Sequence, residues 1–469
     1  MKRARKLLVG LTPLNDIVKM SVQIPTIHDK EDEWAYGVMM NTALLELRHQ
    51  GGGPVHINLT TTGSMNLNVK KLPNVQAIFR ICKNAESDLP ELLDKKIAIF
   101  VGAHKKWTSE LTQIVEKFCE AYNGVVFCDH TSNYHGKYKI LASLITNQKL
   151  YNSPCGLIDI CIHIGDISGA YLNIKPKQVW RVNPDGKIRD TFKMLRYTFE
   201  MEEIDFFKGY VKKGIGKEKN LTYYEECKKE YERLLNLIPE LPFSNIWIAQ
   251  KTISNLPKES VLHFGILNSL RSWNFFEMSS EILGYSNTGG FGIDGGVSTL
   301  IGAALADNKK LFFGVVGDLA FFYDMNVLGN RHVGNNIRLI VVNNGRGTEF
   351  RNYGHSATKF GDDADTYIAA AGHYGNKSQS LIKHYAEDLG FEYSCANNKE
   401  EYLKNVERFV TPEITEKPML FEVFTDSVDE SNALKIMCEL EFSAKGILKN
   451  EVKKVLGEKK IQTIKKFIK

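Results

Sequence analysis

The sequence predicts an α/β protein built on doubly wound parallel sheets. Three observations carry that prediction. Apolar runs short enough for buried strands alternate with stretches of helical apolar spacing through residues 64–200, and again through 243–430. The 469-residue chain is 43% hydrophobic and 25% charged, a globular mix that can bury large cores and divide into about two to four domains. Two of the apolar runs, LFFGVV and IRLIVV, stop just before oxygen-bearing side chains, Asp318 and Asn344, 26 residues apart.

In chain order, residues 1–63 hold a helical stretch, WAYGVMMNTALLELRHQ, and then GGGPVHINLTTTG, a glycine turn into a strand. Residues 64–200 read as a middle α/β domain. KKIAIFVGAHKK is a strand, SELTQIVEKFCEAY a helix with apolar spacing of three and four, and GVVFCDH, IDICIHIGD and QVWRVNP are further strands. Residues 201–242 are charged and helical in tone and read as a linker. Residues 243–430 repeat the alternation, with strands at LGYSN, KLFFGVVGD, IRLIVVNNG and PMLFEVFTD. The tail, 431–469, reads as a basic helix.

Composition sets limits on function. The net charge of +5 is local, because nine Lys face three Glu from Glu441 onward and the rest of the chain is nearly neutral. This predicts no nucleic-acid partner and a solvated face for the tail helix. The eight cysteines form no C-x-x-C pair and complete no zinc spacing, so they read as reduced thiols of a cytoplasmic protein. MKRARKLLVGLTPL lacks a small-residue cleavage site and is soon interrupted by Asp16 and Lys19, so it does not read as a signal peptide. No apolar run reaches the roughly 20 residues that a membrane helix needs.

In open parallel sheets, ligands bind beyond the carboxyl ends of the strands. Asp318 and Asn344 fall at such ends, with one crossover helix between them. Singly, Asp318 would cap a helix and Asn343–Asn344 would form a turn. As a pair, a carboxylate, an amide oxygen and a nearby backbone carbonyl make a hard-oxygen set suited to Mg²⁺ and to phosphate oxygens in its shell. The following stretch, LAFFYDMNVL, reads as a helix whose N-terminus faces a diphosphate. A rival motif, GFGIDG from Gly290 to Gly295, matches G-x-G-x-x-G, and Asp318 lies 23 residues beyond it, as in an NAD-dependent oxidoreductase. The preceding EILGYSNTGG makes a poor buried strand for that turn, and the rival leaves Asn343–Asn344 unexplained. Gly165–Asp166, in HIGDISG, reads as a turn after a strand.

These residues resemble the thiamine diphosphate (ThDP) enzyme superfamily, whose signature is G-D-G followed by N-N after roughly 25–30 positions. Here Leu319 replaces the last glycine. That variant, together with YSNTGGFGIDGGVSTLIGAAL, resembles the branch of menaquinone-pathway 2-succinyl-5-enolpyruvyl-6-hydroxy-3-cyclohexene-1-carboxylate synthases. The resemblance implies a pyrimidine-binding tail (1–63), a middle domain (64–200), a helical linker (201–242), a diphosphate- and Mg²⁺-binding domain (243–430) and the basic tail. It implies Mg²⁺ on Asp318, Asn344 and the Arg346 carbonyl. ThDP would contact Ser286, Asn287, Gly292, Ile293, Gly317, Asp318, Leu319, Ala320 and Asn344, with Ile293 as the apolar wedge that keeps the cofactor bent. Substrate would meet Ser269, Thr288, Glu349 and Phe350, and His355 is a candidate acid or base. The implied chemistry is decarboxylation of a 2-keto acid with carboligation to an acceptor.

Two departures bear on this. The branch holds substrate carboxylates with arginines, yet Thr288 and Trp273 stand at those positions. Arg271 is nearby but faces elsewhere if its segment is helical. Glu349 stands where an apolar residue is usual. The superfamily also activates ThDP with a glutamate from the pyrimidine-binding domain, and Glu31, Glu33 and Glu46 lie in the wrong context for it. The chain therefore reads as inactive alone. It would be a homodimer or a complex with a chain supplying that domain, a reading frame begun late, or a ThDP-binding remnant.

Overall fold

The computed structural model describes residues 17–61, 75–83, 89–92, 95–366 and 378–443. The first unit is a single right-sized crossover: β1 (Met20–Ile24), α1 (Lys30–Glu46) and β2 (Val55–Leu59). One intervening helix makes the strands parallel, in register from Met20↔Val55 to Ile24↔Leu59. Asp29 caps α1 by accepting from the Glu31 and Asp32 amides, and the acidic first turn suits the helix dipole. Val22, Ile24 and Ala43 form a small core of their own. VHINL was legible as a strand; its partner MSVQI was not.

The second unit carries β3 (Phe79–Cys82), β4 (Ile97–Val101), α2 (Ser109–Tyr122), β5 (Gly124–Cys128), β6 (Lys139–Leu141), β7 (Leu157–Ile164), β8 (Lys175–Val182) and β9 (Leu195–Glu200). They form a parallel seven-stranded sheet in the order β3-β9-β8-β7-β4-β5-β6. The central strands are buried on both faces, which is why they read as unbroken apolar runs. Residues 201–242, read as a linker, hold α3 (Glu203–Lys213) and α4 (Thr222–Leu235). Their Phe206, Phe207, Tyr210, Tyr223 and Leu234 lie in the same core as the sheet. Their charges occupy only the outer face, so composition alone concealed the packing.

The third unit runs α5 (Asn245–Thr252), β10 (Val261–Phe264), α6 (Asn268–Trp273), β11 (Leu283–Ser286), α7 (Gly296–Ala306), β12 (Phe312–Gly317), α8 (Asp318–Asp324) and β13 (Ile337–Asn343). It continues with α9 (Leu381–Asp388), β14 (Glu392–Ala396), α10 (Lys399–Phe409), β15 (Met419–Phe424) and α11 (Ser427–Cys438). The six strands are parallel in the order β11-β10-β12-β13-β15-β14. Alternate residues serve two cores. Phe313, Val315, Ile340 and Val342 join the large cluster shared with the middle sheet, whereas Phe312, Val316, Leu339 and Val341 face a second cluster. After β10 the chain moves outward to β11, and it returns on the other side as β12. The carboxyl ends of β10 and β12 thus flank a topological switch point, where such sheets leave a crevice.

The helix expected over LAFFYDMNVL is shorter: α8 ends at Asp324 and a 3₁₀ turn, Met325–Gly329, follows. Of the expected tail helix, α11 is described and residues 444–469 lie outside the described set. Among the described residues, no helix is long and apolar enough to cross a membrane.

Candidate functional site

At the crevice, Gly317 of β12 pairs in register with Val342 of β13. Asp318 and Asn343–Asn344 therefore leave neighbouring strands at nearly the same level, as the sequence spacing implied. Asp318 is only 1% exposed. The two asparagines divide the work. Asn343 Oδ1 accepts from the Gly345 amide (3.2 Å), and its Nδ2 donates to Glu422 Oε1 on β15 (2.7 Å). Gly345 turns the chain through φ +77°, a conformation that suits glycine. Asn344 Oδ1 accepts a longer bond from the Arg346 amide (3.3 Å).

Glu422 is fully buried and also accepts from the Tyr393 hydroxyl (2.7 Å). Burial, reinforced by the charge on Asp318, pushes its carboxyl above the usual range. Two buried carboxyl groups thus lie close enough to influence each other, beside an amide oxygen, and these are the hard oxygen donors that a divalent cation takes. The donor set fits Mg²⁺ better than zinc; among the described residues no group of three His, Cys, Asp or Glu side chains could hold a metal. Between β10 and α6, Leu267 takes φ +68° and ψ −111°, a strained conformation for a residue with a Cβ.

The glycine-rich segment links β11 to α7. Gly295 takes φ +78°, and a Cβ there would lie 3.2 Å from Asn287 Nδ2, so Asn287 is folded back over the turn. Ile293 is half-buried. Ser298 on α7 donates from its amide (2.6 Å) and its hydroxyl (2.8 Å) to the Asp324 carboxylate, tying this segment to the helix that begins with Asp318. Leu319 and Ala320, half-buried on α8, lie along that helix. The same topology counts against a dinucleotide fingerprint. That motif needs its glycine turn on a strand adjacent to the one ending in the acid, but β10 separates β11 from β12.

Ser286, Asn287, Thr288 and Gly289 open into a cavity of about 660 Å³ whose opposite wall is the end of the middle sheet, with His163, Asp166, Arg181 and Arg189. Arg181 is 3% exposed; burial, then the neighbouring Arg189, lowers its guanidinium to about 10. Burial and the same two arginines hold His163 well below its usual value, so it is neutral. Gly165, at φ +71°, forms the turn expected after β7.

The remaining candidates separate. Ser269 and Trp273 are buried on the side of α6 that faces α5, where Asn245 Nδ2 donates to Ser269 Oγ (3.4 Å) and Trp273 Nε1 donates to Asn245 Oδ1 (3.0 Å). Arg271 points the other way, as helical spacing implied, and pairs with Glu349. Phe350 meets the edge of the His355 ring at 5.4 Å, and His355 Nδ1 accepts from the Ala357 amide (3.1 Å). The structure therefore places Gly317–Ala320 and the turn Asn343–Arg346 at the carboxyl ends of adjoining strands. Ser286–Thr288 line the cavity, and Ser269 is turned inward. Sequence reasoning passed over Glu422, Tyr393 and the Arg271–Glu349 pair. The available signal for Glu422 was a lone charge inside the apolar run PMLFEVF.

No protein-family model matches the chain. Curated relatives do. A protein of Phocaeicola vulgatus named 2-succinyl-5-enolpyruvyl-6-hydroxy-3-cyclohexene-1-carboxylate synthase is 31% identical over 440 residues, covering 89% of this chain and 76% of the relative. Proteins of the same name from Bacteroides fragilis, with 30% identity over 440 residues, and Flavobacterium johnsoniae, with 27% over 427, are also similar. They cover 89% and 86% of this chain and 76% and 74% of their own lengths, respectively.

Proposed function

We propose, for a chain that belongs to the 2-succinyl-5-enolpyruvyl-6-hydroxy-3-cyclohexene-1-carboxylate synthase family, that it binds ThDP with Mg²⁺ beyond the ends of β10, β12 and β13 and acts on a 2-keto acid. The observation that carries this reading is the buried Asp318, one residue past the Gly317–Val342 pair, with Asn343–Asn344 leaving the adjoining strand end and Glu422 nearby. Asp318, Asn344 and the Arg346 carbonyl would hold the metal. Gly317 to Ala320 would line the diphosphate side, and Ser286, Asn287, Gly292 and Ile293 would hold the rest of the cofactor. When bound, ThDP supplies a nucleophilic carbon and an electron sink for decarboxylation of a 2-keto acid.

The chain's own residues do the positioning. Glu422 fixes Asn343, Asn343 fixes the turn at Gly345, and the turn presents Asn344 and Arg346 on one side. Burial of Asp318 and Glu422 strengthens charge interactions at these two carboxyl groups. Because the relatives are named as synthases of a succinyl-bearing product, we infer that decarboxylation is followed by carbon–carbon bond formation with an acceptor. Phe350 and Glu349 of the following turn, with Thr288 across the crevice, are the residues we assign to substrate. For His355 we propose a role in holding Phe350. The assembly we propose is a homodimer or a complex with a chain that supplies a pyrimidine-binding sheet; the two-stranded β1–β2 sheet, with open edges among the described residues, supports it.

The test is a fluorescence titration of the pure chain with ThDP, with and without Mg²⁺, and separately with NADH. Mg²⁺-dependent ThDP binding is expected. NADH binding without a ThDP response would overturn the reading. ThDP binding without turnover of a 2-keto acid would mark the chain as a subunit in need of a partner's activating carboxylate.

A further inference from the structure

Buried polar atoms without partners border the cavity between the middle sheet and the glycine-rich segment. Arg181, near the end of β8, pairs in register with His163, near the end of β7, and both residues line the cavity. Arg181 Nη2 donates to the Gly165 carbonyl, while its Nε and Nη1 are buried and have no partner. His163 Nδ1 has none either, and on the facing wall neither has Ser286 Oγ. Three residues from two sheets thus leave hydrogen-bonding capacity unused around one space of about 660 Å³, a size that suits a small-molecule ligand. Arg189, also on the wall, is held by Asp185 (Nη1 to Oδ1, 3.0 Å). Asp166 shares the wall but accepts nothing from Arg181. A guanidinium that is only 3% exposed and meets no carboxylate is costly to bury, and an anion in the cavity would offset that cost.

We propose that Arg181 is a specificity-determining residue, which receives the second carboxylate of a dicarboxylic 2-keto acid in this cavity. This deepens the functional reading above and rests on it. Thr288, assigned there to substrate, lines the same cavity from the facing wall, so a substrate beside Thr288 has Arg181 on its other side. A carboxylate accepting from Nε or Nη1 forms a charge-assisted bond, which is stronger in a buried site than at the surface. Ser286 Oγ and the neutral His163 Nδ1 add hydrogen-bonding capacity around it. Arg189, already engaged by Asp185, contributes charge. A keto acid with a single carboxylate leaves Arg181 without its anion and loses that gain, so the preference for the dicarboxylic acid follows from the unpaired guanidinium. The placement also accounts for Thr288 itself: the positive charge of the cavity stands on the middle sheet, not on the glycine-rich segment.

The test uses the full chain loaded with ThDP and Mg²⁺, with loading checked first by intrinsic fluorescence. Calorimetry then measures three probes: 2-oxoglutarate, pyruvate, which lacks the second carboxylate, and succinate, which lacks the keto group. The wild type should bind 2-oxoglutarate about tenfold or more tightly than pyruvate. Arg181→Gln should weaken 2-oxoglutarate about thirtyfold while leaving pyruvate within about twofold, and Arg181→Lys should recover part of the loss. If Arg181→Gln does not fold, a crystal structure of the loaded wild type with 2-oxoglutarate decides the matter: a carboxylate oxygen should lie about 3 Å from the Arg181 guanidinium. A wild type without the preference, an unchanged preference in Arg181→Gln, an equal loss of both keto acids, or a carboxylate seated away from Arg181 would overturn the proposal. Succinate held through Arg181 without competing with 2-oxoglutarate would mark an anion site apart from the substrate and overturn it as well. Failure of Mg²⁺-dependent ThDP loading would show up in the first step and bring down the cofactor reading, with this proposal after it.

Discussion

Glu430 opens the first turn of α11, where its Oε1 accepts from the Asn245 amide (2.9 Å) and the Thr425 hydroxyl (2.8 Å). Burial nevertheless pushes its carboxyl from the ordinary 4.5 up to about 7. The folded value is raised, so the contribution of this group to stability is full below the ordinary carboxyl range and is lost as pH climbs through about 7. A shift of that size corresponds to about 3 kcal/mol. Urea unfolding at pH 4.5 and pH 8 should show the wild type losing about that much relative to Glu430→Gln, whose curve lacks this component. Parallel pH dependences in the two proteins would contradict the assignment. At this scale the sequence was partly legible. Asp318 and Asn344 could be picked out as a pair, because each alone has an ordinary structural use but together they put hard donors at two successive strand ends. Glu422 could be noticed but not explained, because its partners Asn343 and Tyr393 lie 79 and 29 residues away and only the sheet order joins them.

Elements with a clear period were read closely: SELTQIVEKFCEAY is α2 residue for residue, with Thr108 as its cap. Short strands escaped. β10 is only VLHF, β6 only KIL, and β14 (EYSCA) is half-buried rather than apolar throughout. Missing β10 matters most, since it separates β11 from β12 and so distinguishes the present crevice from a dinucleotide site. Strand ends are also where backbones approach closely. A Cβ on Gly102, just past β4, would lie 1.8 Å from the Asp166 carbonyl beyond β7. Gly102→Ala should therefore lower stability by about 1–3 kcal/mol in thermal melts. Gly302→Ala, in open space on α7, should instead be neutral or raise stability by up to about 1 kcal/mol. Equal melts for the two variants would refute the close approach at the end of β4.

For the whole molecule, the alternation of strands and helices predicted parallel sheets correctly, because unbroken apolar strands must be covered on both faces. It did not reveal that α3 and α4 pack into the middle core, nor that one face of the third sheet shares that core. Long-range ties add to this. Trp34 donates to Asp190 (2.8 Å), and His49 meets Glu200 (2.8 Å), joining the first unit to the middle sheet. The cavity of about 660 Å³ shows the same sharing, since Ser286–Gly289 come from the third sheet and His163, Arg181 and Arg189 from the middle one. The claim on which the rest depends is that Asp318 and Asn344 grip one Mg²⁺ that holds ThDP. Its most direct test compares ThDP affinity with and without Mg²⁺ in the wild type, Asp318→Ala and His355→Ala. The account predicts that Mg²⁺ tightens ThDP in the wild type and in His355→Ala and has no effect in Asp318→Ala; an Asp318→Ala protein that keeps the full Mg²⁺ response would contradict it.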